Sequence, residues 1–377
     1  MENIKDMDID KVYKIIEKEP GFRKKQIDKL LFQDLISSWS EATTLPLSLR
    51  EELNKNASID ITSENNVSKD GKTVKALITL EDGLKIETVL MKYKERNTVC
   101  VSSQVGCPLG CLFCATGKMG FKRNLNTSEI VEQVLYFGRM LKKKILDAVD
   151  SGDLARMTEK SRFWTSPSAS SGRCQNDNIE KGNDGGKKIT NIVFMGMGEP
   201  FLNYENVLRA IRVINDKEKF GLGARHISIS TSGVIPGIIK FSQENLEVNL
   251  AISLHAPNNL LRSKLMPVNI QYSLEKLLEA VNEYVNKTRR KVMFEYILIN
   301  EVNDTEKEAE ELSRLMKHPL YMVNLIRYNQ TGEFKSSSLE RVNRFKRILN
   351  KNGISFTERL SLGEEIKGAC GQLIATS

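Results

Sequence analysis

The stretch VCVSSQVGCPLGCLFCATGKMG, Val99 to Gly120, carries four of the chain's six cysteines within 15 residues. Cys107, Cys111 and Cys114 form a CxxxCxxC run. Three thiolates on one short loop can hold a cluster of soft metal, but a closed iron–sulfur cluster takes four ligands, so one iron would stay open. A structural zinc site also wants four ligands. The only histidines, His226, His255 and His318, lie more than 100 residues away. The pattern therefore favours a [4Fe–4S] cluster with a vacant coordination site, and an open site implies chemistry rather than scaffolding. The competing class is a non-catalytic, zinc-stabilised RNA-binding module, which would be colourless.

Beyond Asn97 the chain alternates β and α patterns. Strands are expected at Thr98 to Ser102, Ile189 to Met195, Ile227 to Ser230, Val248 to Ser253, Val292 to Leu298 and Val323 to Ile326, with a last edge at Ile354 to Thr357. Helices fall between them at Ser128 to Leu141, Tyr204 to Asn215, Leu274 to Asn286, Thr305 to Met316 and Leu339 to Leu349. Leu274, Leu277, Leu278, Val281 and Val285 trace one apolar face, as a helix covering a parallel sheet requires. Asn126 and Glu129 form a candidate capping box. The expected fold is α/β, a partial six-stranded β/α barrel left open on one side for a large substrate.

Upstream, residues 1–56 read as a small helical domain, with Arg23, Lys24, Lys25 and Lys29 clustered on the second helix and Ser48 as a cap for Leu49 to Lys55. Residues 57–96 change to period two, with Asp70-Gly71 and Asp82-Gly83 as turn signals, and read as a small antiparallel extension. Ser151 to Lys188 is a polar stretch containing SPSASSG and GNDGG; it reads as a surface insertion, mostly disordered, with Cys174 incidental and Trp164 a possible anchor. Residues 361–377 form a tail bearing Cys370 between glycine-rich neighbours, which reads as an exposed, mobile thiol.

With 56 Lys+Arg against 48 Asp+Glu the formal charge is +8, a balance that suits a polyanion but does not prove one. No apolar run approaches the ~18 residues of a membrane span, and the first 21 residues are too acidic and polar for a signal peptide. A cytoplasmic protein is expected, where clustered cysteines argue for metal or catalysis rather than bracing.

The motifs fall just after expected strands, where β/α barrels place their active sites. After the cluster loop come FMGMGEPFLN (194–203), ISISTSG (227–233), ISLHAPNN (252–259), VNLIRYN (323–329) and GACGQL (368–373). Taken singly, Ser230, Ser253, His255 and Asn329 are as readily turn caps or satisfied polar groups, and Cys100 a core residue. In this order, from about Glu87 to Leu373, the set resembles the radical S-adenosylmethionine (SAM) RNA adenine-C2 methyltransferases of the RlmN family, relatives of the Cfr-type C8 enzymes.

That resemblance implies a partial (β/α)6 barrel of the radical SAM class at 97–360, a [4Fe–4S] cluster on Cys107, Cys111 and Cys114, and SAM held by Gly198, Glu199, Ser230, Ser253, Leu254, His255 and Asn329. It also implies that Cys370 carries a methyl group, that Cys100 resolves the protein–RNA adduct through a disulfide, and that Glu87 accepts a proton. One cluster per chain, two SAM per turnover, 23S rRNA and tRNA as substrates, a flavodoxin-type reductant and a monomer complete the expectation. Lys118, Lys122 and Arg123 would line the RNA mouth.

Overall fold

The computed structural model describes residues 9–150, 188–359 and 361–375. The expected insertion, with Trp164 and Cys174, lies outside the described residues apart from Lys188. Twelve strands are assigned among the described residues: β1 (Ser63–Val67), β2 (Thr73–Thr79), β3 (Lys85–Lys92), β4 (Asn97–Cys100), β5 (Gln104–Gly106), β6 (Phe121–Asn124), β7 (Asn191–Phe194), β8 (Ile227–Thr231), β9 (Asn249–Ser253), β10 (Val292–Leu298), β11 (Tyr321–Arg327) and β12 (Phe356–Arg359). Ten of them make one sheet in the order β1-β2-β3-β4-β7-β8-β9-β10-β11-β12, and β5 and β6 form a separate hairpin.

From β4 through β12 every pairing is parallel. β10 (VMFEYIL) is buried at six of its seven positions, as a strand covered on both faces must be. The helices Tyr204–Asn215, Leu274–Thr288 and Leu339–Lys351 bury one apolar face each against this sheet. The chain is therefore the expected open β/α barrel.

The antiparallel strands join the barrel sheet directly: β3 pairs with β4, from Val89 opposite Cys100 to Lys92 opposite Asn97, so hydrogen bonding runs unbroken into the barrel. Three expectations are corrected. The last strand is displaced to Phe356–Arg359 and pairs in parallel with β11. The helix after the cluster loop runs on to Asp150, because the lysine-rich turn after Leu141 favours helix as much as its apolar start. Ser48 is no cap: Leu47–Asn56 begins directly after Pro46 with no side-chain cap.

The Asn126–Glu129 box is present in both directions, at 2.8 Å each. In the helical module Trp39 is buried and its indole donates to the Ala57 carbonyl at 2.7 Å. Its apolar side chains join the same core cluster as the barrel's. No helix among the described residues is long and apolar enough to cross a membrane.

Candidate active site

One cavity of about 120 Å³, open to solvent, sits at the C-terminal ends of the barrel strands. Cys107, Cys111 and Cys114 line it from the segment between β5 and β6; Gly198 and Glu199 from the loop after β7; Ser230 from β8; Ser253 and His255 from the end of β9. Cys370 lines it from the C-terminal tail. The barrel topology brings these residues together from separations of up to 263 positions.

All three loop cysteines are free thiols. Burial pushes the Cys107 thiol up to about 12, and Cys111 higher still with help from its two cysteine neighbours. Thiols this reluctant to ionise become thiolates when a cation binds them. Three free thiols lining one cavity are the soft donor set that a [4Fe–4S] cluster takes, one sulfur to each of three irons. The site residues therefore fit the group expected from the sequence.

Glu199 is buried, and burial raises its carboxyl against the lowering effect of its hydrogen bonds, the Ser232 amide foremost. Its Oε1 accepts from the Phe201 amide at 3.1 Å and its Oε2 from the Ser232 amide at 2.7 Å. The side chain thus braces the loop after β8 while lining the cavity. Gly198 has φ +98°, and a Cβ there would lie 2.5 Å from the Gln104 Cβ. The glycine is required by the packing of two protein loops rather than by approach to a ligand. Gly198→Ala is expected to cost about 1–3 kcal/mol and to displace Glu199; equal melting temperatures for variant and wild type would contradict it.

Ser230 and Ser253 hydroxyls stand 3.5 Å apart. Buried His255 adopts φ +57°, and its Nδ1 accepts from the Ile297 amide at 3.1 Å. Burial first, then Arg262, depresses its pKa to about 3. The imidazole is neutral, and with Nδ1 accepting, its proton sits on Nε2 as a donor.

The tail differs from its expected mobility. The Cys370 carbonyl accepts from the Asn329 side chain at 3.1 Å, the Gly371 carbonyl from the Ala115 amide at 2.8 Å, and the Leu373 carbonyl from the Thr116 hydroxyl at 2.6 Å. Gly371, at φ +84°, supplies a left-handed turn rather than a hinge. The exposed Cys370 is thus held in place at the cavity. Cys100 is buried on β4; burial, then the charge of Cys370, raises its thiol to about 12. The described cysteines are all free, so the expected Cys100–Cys370 disulfide is absent from this structure.

Four expected site residues are not on the cavity wall: Cys100, Leu254, Asn329 and Glu87. Leu254 is buried behind it, its carbonyl accepting from Arg262 at 3.3 Å. Asn329 acts on the tail. Glu87, far from the solvated outward position usual for a strand glutamate, is buried; its Oε1 pairs with Lys75 at 2.7 Å and its Oε2 accepts from the Ile374 amide at 2.8 Å. Of the mouth residues, Arg123 is committed to Asp82 (2.6 Å) and Glu129 (2.7 Å), and Lys118 donates to the Thr331 carbonyl at 3.3 Å.

Sequence reasoning missed Arg262, Glu295 and Arg359. Glu295 and Arg359 line the cavity from β10 and β12; Glu295 counted only as part of a strand pattern, and Arg359 lay beyond the expected last strand, which ended at Thr357. Arg262 is fully buried and donates to the Ser232 carbonyl at 2.7 Å and the Ser253 carbonyl at 3.2 Å, tying two loops together. The sequence carried no clear signal for it: in LLRSKLM, beside Ser263 and Lys264, Arg262 reads as one more basic surface residue.

Residues 176–313 match the Radical SAM superfamily. A relative from Dictyoglomus thermophilum, "Probable dual-specificity RNA methyltransferase RlmN", is 43% identical over 100% of this chain and 97% of its own length. "Ribosomal RNA large subunit methyltransferase N" of Nitrosopumilus maritimus is 40% identical over 93% of this chain and 92% of its own. The crystal structure of a radical SAM methyltransferase from Sphaerobacter thermophilus superposes with a TM-score of 0.82 at 40% identity, covering 99% of both chains.

Proposed function

As the chain belongs to the RlmN family of radical SAM RNA methyltransferases, we propose that it methylates C2 of adenine in 23S rRNA and tRNA, using Cys370 as the methyl carrier. The observation that carries this reading is that Cys370 lines the same cavity as Cys107, Cys111 and Cys114. A metal-binding module has no use for a further thiol fixed at the rim of its site.

Cys107, Cys111 and Cys114 hold one [4Fe–4S] cluster. Glu199, Ser230, Ser253 and the Nε2–H of His255 offer the acceptors and donors that position SAM, two molecules of which serve each turnover. When bound, the cluster and SAM supply the radical chemistry that an electron-poor sp² carbon requires, since it cannot act as a nucleophile. Asn329, Ala115 and Thr116 hold the tail so that the Cys370 sulfur stays at the rim. The Cys100 thiolate attacks the Cys370 sulfur: an S–S bond forms as the S–C bond to the base breaks, the carbon leaves with the electron pair and takes up a proton to become the methyl group, and a flavodoxin-type reductant supplies the two electrons that reset the disulfide.

Glu87 is the proton acceptor of this scheme. In the present conformation its two oxygens hold Lys75 and the tail at Ile374, so a shift of the tail is what frees Oε2. The helical module of residues 1–56 contacts RNA, Arg123 serves as a staple instead, and the chain acts as a cytoplasmic monomer.

Anaerobic purification tests the cofactor reading: about four irons per chain and brown colour are expected, and one zinc per colourless chain would end it. Mass spectrometry of methylated RNA tests the position, with 8-methyladenine as the result that would move the chain to the Cfr-like reaction.

A further inference from the structure

Arg262 has no exposed surface, and among the described residues its guanidinium finds only neutral acceptors: the carbonyls of Ser232, Ser253 and Leu254 and the Asn269 Oδ1 at 2.8 Å. Burying a cation without a counter-charge is costly, several kcal/mol even after relaxation, and four dipoles offset only part of that. Burial lowers the guanidinium to about 10. The two residues whose carbonyls it holds, Ser232 and Ser253, line the same cavity as Cys111. Being fully buried, the side chain cannot reach a ligand in the cavity, so it acts through charge and through the loops it ties. Its helix, Asn259–Leu265, also packs on the cysteine loop, where the Leu112 amide donates to the Leu265 carbonyl at 3.0 Å.

We propose that Arg262 is the protein's charge partner for the metal centre, a positioning residue whose buried cation favours the reduced cluster. This rests on the cluster reading above, because the anion it lacks in the protein is the anionic iron–sulfur centre ligated by Cys111. A fixed positive charge in a low-dielectric surround stabilises the state with the extra electron and raises the reduction potential, one of the levers by which proteins set cluster potentials. The reciprocal effect is that cluster loading stabilises the fold by relieving the uncompensated cation.

The test is a redox titration of reconstituted protein followed by electron paramagnetic resonance. Arg262→Met is expected to shift the midpoint to more negative values, and Arg262→Lys, which keeps the charge and loses the fork of hydrogen bonds, to restore most of that shift. Should Arg262→Met fail to fold, Asn269→Asp keeps the arginine and hands it a carboxylate; the midpoint should again move negative, and the rise in melting temperature on cluster loading should shrink. Midpoints equal to wild type in Arg262→Met and Asn269→Asp, or in Asn269→Asp alone where the first variant does not fold, would overturn the proposal. An Arg262→Lys midpoint as negative as that of Arg262→Met would also overturn it, because the fork and not the charge would then be responsible. Wild type without iron would instead sink the cluster reading itself.

Discussion

Cys370→Ala is expected to abolish methylation of RNA, by on the order of 10³-fold or more, the scale of loss when a covalent nucleophile is removed. Iron content and reductive cleavage of SAM should persist. The side chain is exposed at the cavity, and the hydrogen bonds that hold it use backbone groups: its own carbonyl to Asn329 and that of Gly371 to Ala115. Removing the sulfur leaves those in place, so stability should change by no more than about 0.5 kcal/mol. This separates a carrier from a structural thiol. If labelled RNA product forms at the wild-type rate, Cys370 is not the carrier, whatever its position.

Cys100→Ala is expected to have the opposite signature: product formation stops, but a covalent protein–RNA adduct accumulates and runs as a slow band on a denaturing gel. The reason lies in the placement of Cys100 on β4, close enough to Cys370 for the two charges to interact. Free methylated RNA at the wild-type yield would exclude it as the resolving thiol. A pH profile sharpens the point. Burial raises the Cys100 thiol to about 12, so the attacking thiolate is scarce near neutrality and its fraction grows about tenfold per pH unit below the pKa. Adduct release in single turnover should rise with pH across the neutral to mildly alkaline range; a flat profile there would show that ionised Cys100 is not the species that attacks.

The tied-down tail changes the picture of how such a thiol works. Glycines beside Cys370 suggest freedom, yet Gly371 spends its freedom on one fixed left-handed turn, and Thr116, Ala115 and Asn329 close on the backbone around it. Glu87 belongs to the same clasp through Ile374. A residue expected as a base is therefore also a latch on the tail.

By itself the amino-acid sequence determined the alternation of strands and helices, the three-cysteine loop with its missing fourth ligand, the Asn126–Glu129 cap and the position of each motif after a strand. These are local: they depend on periodicity, spacing and turn chemistry within a few residues, which a chain carries however it is folded. Only the tertiary structure decided that β3 continues the barrel sheet, that Glu87 faces Lys75 and the tail, that Arg123 is a staple, and that Arg262 is a buried cation without a carboxylate. Those depend on which distant groups share a low-dielectric space, and a charge's meaning is set by that company rather than by its neighbours in sequence.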